Sequence, residues 1–306
     1  MFGTARLYEM RGMYTVSITQ QEVYRSPQGD VLKVLFVNPD AFHVEQKAAI
    51  PLGLLSIATY LERHGHQVRV YDRAVEGGSI KPHLARFSPD IVAVSVIGMK
   101  SFSDAIRISK LAKRHALPVV WGGPMVSLLP DIALKTGVVD YFVLGEGELT
   151  MLALTQALAA GTDTNNIEGL AYIQNDLVVK TRPREFADLS TLPMLSWEYV
   201  DPKKYFIKNV GSDRTLHVYS SKGCTGHCTY CYSPGYSGCV WRPRPSAHYL
   251  GEIKHLIETY GIDGVFFADD LLVPSRSHLH SFCRAITESG LSFVWGCDLR
   301  VDGWSR

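Results

Sequence analysis

The chain has no cysteine before position 224, and all six of its cysteines fall in the last third of 306 residues. That distribution argues against a secreted fold stapled by disulfides, which spreads its cysteines along the chain. Also missing is any apolar run of the roughly 20 residues that span a bilayer. Ile91–Met99 is among the longest apolar stretches and reads as a buried strand. No charge of one sign dominates: 31 Lys and Arg face 30 Asp and Glu, a formal net charge of +1. Neither nucleic acid nor a membrane is therefore an expected partner. Met1–Asp30 lacks the basic-then-apolar layout of a signal peptide and shows no clear period, so residues 1–30 read as a lead or extra cap. The expected setting is reduced and cytoplasmic, which suits thiols that must stay free for a metal.

What is present has the composition of a globular protein, with 46% hydrophobic and 20% charged residues, and is long enough for two cores. From Val31 to about Ala160 apolar strands alternate with amphipathic helices. Val31–Val37 leads through a loop to a helix with Pro51 near its first turn and Leu54, Leu55, Ala58 and Leu61 on one face. Strands follow at Gln67–Asp72, Ile91–Ile97, Pro118–Trp121 and Tyr141–Leu144. Helices fall near Ile80–Phe87, Ser103–His115 and Pro130–Thr136, and after Glu148. Such alternation predicts an α/β doubly wound parallel sheet, Rossmann-like, over residues 31–160. Ligands of such sheets bind beyond the carboxyl ends of the strands. The candidate contacts there are Asn38, Ser95, Gly98, Gly122, Gly123, Gly145 and Glu146.

Gly161–Asn166 is a polar break. Residues 161–213 read as a linker containing a hairpin, Leu170–Ile173 with Leu177–Lys180, and a Pro-, Leu- and aromatic-rich strap anchored by Trp197. From residue 214 to 306 the β-α period returns. The strands are Leu216–Tyr219, Gly264–Ala268 ending in Asp269 and Asp270, and Leu291–Cys297 leading to Arg300. The helices are one capped by Ser246 and one over Ser277–Ser289.

Between the first of these strands and its helix lies Cys224-x3-Cys228-x2-Cys231, in a loop marked by Gly223, Gly226 and Pro234. Zinc sites and electron-transfer clusters are normally closed by four protein ligands. A four-iron cluster held by three cysteines leaves one iron open to a small molecule. The competing reading is half of a zinc site completed by His227 or Cys239, but the spacing is a poor match to paired C-x2-C zinc motifs. Cys239, Cys283 and Cys297 read as buried thiols.

The loop, with Tyr230 before its third cysteine, resembles the signature of radical S-adenosylmethionine (radical SAM) enzymes. The likeness continues through Trp241–Ser246 and Gly264–Asp270. Upstream of the loop, nearly everything from Val31 is similar to the cobalamin-binding domain that one large subgroup carries ahead of its radical SAM domain. The resemblance implies a [4Fe-4S] cluster on Cys224, Cys228 and Cys231, with S-adenosylmethionine on the open iron. Electron transfer would then release a 5′-deoxyadenosyl radical. Tyr230, Asp269, Asp270 and Arg300 are implied contacts of that cofactor, the aspartates receiving its amino group. Cobalamin would lie over the loops of the first sheet. His43 is expected to be a loop residue and not a cobalt ligand, because Asp40-Ala41-Phe42-His43-Val44-Glu45 departs from the D-x-H-x-x-G motif of histidine-ligated cobalamin proteins.

The implied activity is methyl transfer to an unactivated carbon or phosphorus of a small-molecule substrate, with an electron donor of flavodoxin or ferredoxin type. The alternatives are a cobalamin-dependent cyclase or rearrangement enzyme, and a non-catalytic cofactor-binding module. A methylthiotransferase is disfavoured because that family's N-terminal cysteines are absent here. A radical SAM barrel normally has six β-α units, and three strands with two helices follow Arg214. The expectation is a partial TIM-like barrel, a fragment that binds both cofactors and turns over poorly.

Overall fold

Val34 to Val37 are all buried, Val34 and Phe36 in one core and Leu35 and Val37 in another. A strand apolar on both faces belongs in the middle of a covered sheet, and this one does. The structure, a computed structural model, describes residues 31–40, 49–174 and 177–300. The expected lead at 1–30 and His43 lie outside the described residues.

The first sheet begins with strand β1 (Lys33–Asn38), helix α1 (Leu52–Arg63), β2 (Gln67–Asp72), α2 (Arg73–Glu76), α3 (Lys81–Phe87) and β3 (Ile91–Ser95). It continues with α4 (Met99–Arg114), β4 (Val119–Gly122), α5 (Pro124–Leu128), α6 (Pro130–Leu134), β5 (Tyr141–Val143) and α7 (Gly147–Ala160). Strands β6 (Leu170–Gln174) and β7 (Leu177–Lys180) complete it, in the order β2-β1-β3-β4-β5-β6-β7. The first five are parallel, and β6 and β7 join antiparallel. The expected hairpin thus forms, and it extends the first sheet beyond the polar turn at 161–166. Strand order reverses between β1 and β3, so the ligand crevice of this topology opens beside Asn38 and Ser95.

The two faces are covered differently. Leu84, Ala105, Ile108, Ala112 and Met125 pack against Leu35, Val37, Val92, Val94 and Trp121. On α4 the buried positions 101, 104, 105, 108, 109 and 112 follow the helical period, and Ser109 accepts a 2.8 Å bond from the Trp121 indole. The other face meets α1 and α7, and its core runs without a break through Trp197 and Tyr205 into the second sheet. Trp197 is therefore an anchor, as expected.

The second sheet is built from β8 (Ile207–Asn209), β9 (Ser212–Val218), β12 (Gly264–Phe267) and β13 (Val294–Cys297), in the order β13-β12-β9-β8. A short pair, β10 (Ser221–Lys222) and β11 (Arg242–Pro243), stands apart and brackets α8 (Ser233–Ser237). Helices α9 (Ser246–Tyr260) and α10 (Arg276–Glu288) cover one face of the sheet, packing Tyr249 and Phe282 edge-on against Phe267. Strands β9, β12 and β13 are parallel, as the barrel reading expected, and β8 is an addition, antiparallel to β9.

One detail differs from expectation. Ser246 is not a cap: Pro245 occupies the cap position of α9 and no side chain bonds there. The capping bond is at α10, where Ser275 accepts from the His278 N–H. Among the described residues no helix is long and apolar enough to cross a membrane.

Candidate cofactor-binding site

Strands β10 and β11 pair Ser221 with Pro243 and Lys222 with Arg242, so they close the base of the loop that carries the three cysteines. Trp241 fastens that base to the end of the second sheet, its indole N–H reaching the Leu271 carbonyl at 2.7 Å and Ser221 Oγ at 3.1 Å. Gly223, between the stem and Cys224, has φ +82°, and a Cβ there would collide with the Val240 carbonyl. Only glycine lets the chain turn at that point.

Within the loop the Gly226 N–H donates to Cys224 Sγ at 3.2 Å, and the Ser233 N–H to Cys231 Sγ at 3.4 Å. Cys224 and Cys228 are half-buried, Cys231 is exposed, and none is in a disulfide. Backbone donors on sulfur favour thiolates, the form in which cysteine holds iron. Among the described residues no three His, Cys, Asp or Glu side chains converge on a point, as a single ion requires. A four-iron cluster sets each thiolate on a different iron, so it does not need that convergence. Three free thiols in a loop with N–H groups aimed at two of them fit a cluster. Cys239 Sγ lies 3.3 Å from His227 Nδ1 and 3.6 Å from the Gly226 carbonyl. It thus engages the loop and is not the plain buried thiol expected. Cys283 and Cys297 pack beside the core, and burial pushes the Cys297 thiol up to about 11.

A cavity of about 450 Å³ opens between the carboxyl ends of the two sheets. Its first-sheet wall includes Asn38, Ser95, Gly122, Gly123, Gly145 and Glu146; Gly98 is not part of it and instead begins α4. The opposite wall includes Tyr219, Lys222, Gly223, Tyr232, Tyr236 and Asp270. Both sets of strand ends therefore face one space.

The two aspartates after β12 have different surroundings. Asp270 lines the cavity and accepts from the Tyr232 hydroxyl at 3.2 Å and the Ser233 hydroxyl at 3.4 Å. Asp269 is buried away from it and receives the Ser220 N–H at 3.0 Å, the Ser220 hydroxyl at 3.1 Å and the Ser221 hydroxyl. Burial pushes its carboxyl up to about 6 although those bonds oppose the shift. Tyr230 is 91% exposed, outside the cavity wall. Arg300 leans over the cysteine loop, its Nη1 only 2.5 Å from where a Cβ at Gly226 would sit.

Sequence reasoning missed the contacts that join the walls. Glu148 lies at the start of α7, 2% exposed, and meets Lys222 Nζ at 2.7 Å and the Ser56 hydroxyl at 2.5 Å. Burial raises the Glu148 pKa, and the Lys222 ammonium together with hydrogen bonds from Lys222, Ser56 and the backbone more than offsets it, so the carboxyl lies below its usual range. Burial likewise lowers Lys222, but Glu148, Tyr219 and Glu146 together outweigh it and hold the amine above its usual value. Both groups are charged. Glu146 pairs with the Arg242 guanidinium, and the Tyr236 hydroxyl donates to the Gly145 carbonyl at 2.9 Å. The repeated Gly-Glu of residues 145–148 was the visible signal.

Residues 45–155 match the B12 binding domain family. An uncharacterized methyltransferase from Pyrococcus horikoshii is 29% identical over 287 residues, covering 90% of this chain and 61% of that protein. An anaerobic magnesium-protoporphyrin IX monomethyl ester cyclase from Synechocystis is 28% identical over 282 residues, covering 89% of this chain and 56% of that one. The chain thus spans little more than half the length of these relatives. Among solved structures, the radical S-adenosylmethionine methyltransferase TsrM of Kitasatospora setae, with cobalamin and a [4Fe-4S] cluster bound, has the same fold. Its TM-score is 0.68 at 23% identity, covering 84% of this chain and 51% of TsrM. With a B12-binding domain match in front and the three-cysteine loop behind, the chain is similar over most of its length to cobalamin-dependent radical S-adenosylmethionine proteins.

Proposed function

We propose that Cys224, Cys228 and Cys231 hold a four-iron cluster, that S-adenosylmethionine binds beside it against Asp270, and that cobalamin lies over Asn38, Ser95, Gly122, Gly123 and Gly145. When bound, the cluster and S-adenosylmethionine supply a 5′-deoxyadenosyl radical and cobalamin supplies a methyl carrier. The whole protein is then a methyltransferase acting on an unactivated carbon or phosphorus of a small molecule, served by an electron donor of flavodoxin or ferredoxin type. The observation that carries this reading is a cavity lined by both sets of strand ends.

The chain's own residues hold, orient and exclude water. The N–H groups of Gly226 and Ser233 stabilise two of the thiolates. Asp270, oriented by Tyr232 and Ser233, is an acceptor for an ammonium group. Burial, with Asp270 beside it, raises Tyr232 well above the usual phenol range, so its hydroxyl stays a donor at all working pH. Tyr219, Tyr236 and Phe186 add apolar wall, which limits solvent around reactive groups. Asp269, Tyr230 and Arg300 are assigned here to shaping the loop's surroundings, Asp269 by fastening Ser220 and Ser221.

Cyclisation is the second reading, favoured by the near-equal likeness to the cyclase. Either reading requires the same first event. The reconstituted, reduced chain incubated with S-adenosylmethionine is expected to form 5′-deoxyadenosine, and Cys228→Ala to form none. Equal formation by both would contradict the proposal.

A further inference from the structure

The cysteine loop has two stems, and one tripeptide of the other domain ties both. Lys222 ends the strand entering the loop, and Arg242 begins the strand leaving it, directly opposite Lys222 in the ladder. Glu148 takes Lys222 and Glu146 takes Arg242. The residue between the glutamates, Gly147, is seated so closely on Ile57 of α1 that a Cβ would collide with it. The tripeptide is thus pressed into the first domain on one side and bonded to the loop on the other. Glu146, Glu148 and Lys222 also line the cavity wall.

The chemistry of these ties makes them stiff. Side chains of Glu148 and Lys222 are 3% and 22% exposed, and those of Glu146 and Arg242 are 11% and 17% exposed. Charges taken this far out of water are held only with their partners in place, because separating them leaves an uncompensated buried charge. The Tyr236–Gly145 bond adds a third fastening from inside the loop. Gly145 and Glu146 are also the strand-end residues that face the cobalamin side.

We propose that Glu146 and Glu148 are positioning residues that lock the cysteine loop to the cobalamin-side strand ends, so that filling either side favours filling of the other. This rests on the reading that the two sides bind cobalamin and an iron–sulfur cluster. The coupling is an equilibrium quantity and must be reciprocal.

The test is the dissociation constant of hydroxocobalamin, read from its visible spectrum, for the full chain with and without the reconstituted cluster. The cluster is expected to tighten binding by about fivefold or more, the range of ordinary coupling between sites. Glu148→Gln combined with Lys222→Met is expected to bring the ratio to about one, and Lys222→Arg to restore most of it. Arg242→Met removes the second tie and is expected to lower the ratio part-way, which keeps the test alive if the double variant fails to fold. A ratio of one in the parent chain, or a ratio unchanged in the folded variants, overturns the proposal while leaving the cofactor reading intact. A chain that takes up neither iron nor hydroxocobalamin overturns both.

Discussion

Gly223 and Asp269 show how the loop depends on single residues. At Gly223, φ +82° and the Val240 carbonyl exclude a side chain. Gly223→Ala is expected to cost at least about 1–2 kcal/mol through the left-handed backbone alone. It should also displace Cys224, measured as iron content after reconstitution falling well below that of the parent. Asp269 has its pKa raised to about 6 by burial. In the unfolded chain it titrates near 3.8, so between these values the folded protein binds the proton and the unfolded one does not. Stability from this group is therefore full below about pH 4 and falls as pH rises to about 6, by on the order of 3 kcal/mol. Asp269→Asn should abolish that slope. Urea unfolding of parent and variant at pH 4.5 and pH 7 would reveal it, and identical slopes would contradict the burial argument.

At the scale of elements, the boundary of the first sheet is the instructive case. Strands β1, β3, β4 and β5 were legible because each is a continuous apolar run between turn residues, the mark of a strand covered on both faces, and the edge strand β2 because polar and apolar residues alternate along it. The β6–β7 hairpin was legible locally, because apolar runs flank the sequence Gln174-Asn175-Asp176, whose residue types favour turns. That it pairs with β5 was not, because the register of Tyr141 with Tyr172 is a long-range match that periodicity does not encode. A piece ending at residue 160 would strip the outer edge of β5 and expose its partner face. A piece ending at residue 184 would keep the hairpin and the Arg184 bond to Thr150 at 2.9 Å. Residues 31–184 are accordingly expected to associate less than residues 31–160, which add an unpaired apolar edge to the face that both pieces expose. Sedimentation of the two pieces decides it. Helix α5 was missed because it has only five residues and begins at Pro124. Strand β8 was missed because polar Lys208 and Asn209 leave no apolar alternation.

At the scale of the molecule, the site was half legible. The cysteines declared themselves by spacing, and the glycines of the first sheet by their place at strand ends. What spacing could not give is which residues face one another across the cavity. Glu148 and Lys222 are 74 positions apart, and Glu146 and Arg242 are 96 apart. Asp269 and Asp270, adjacent in sequence, point to different environments because successive residues leaving a strand alternate in direction. The central claim is that one chain holds a cluster and cobalamin across one cavity. Iron, sulfide, zinc and cobalt measured on one reconstituted, cobalamin-saturated sample test it most directly. The account predicts about four irons, four sulfides and one cobalt per chain, with the iron and sulfide lost and cobalt retained when Cys224, Cys228 and Cys231 are all replaced by alanine. Stoichiometric zinc without sulfide, or no cobalt, would contradict it.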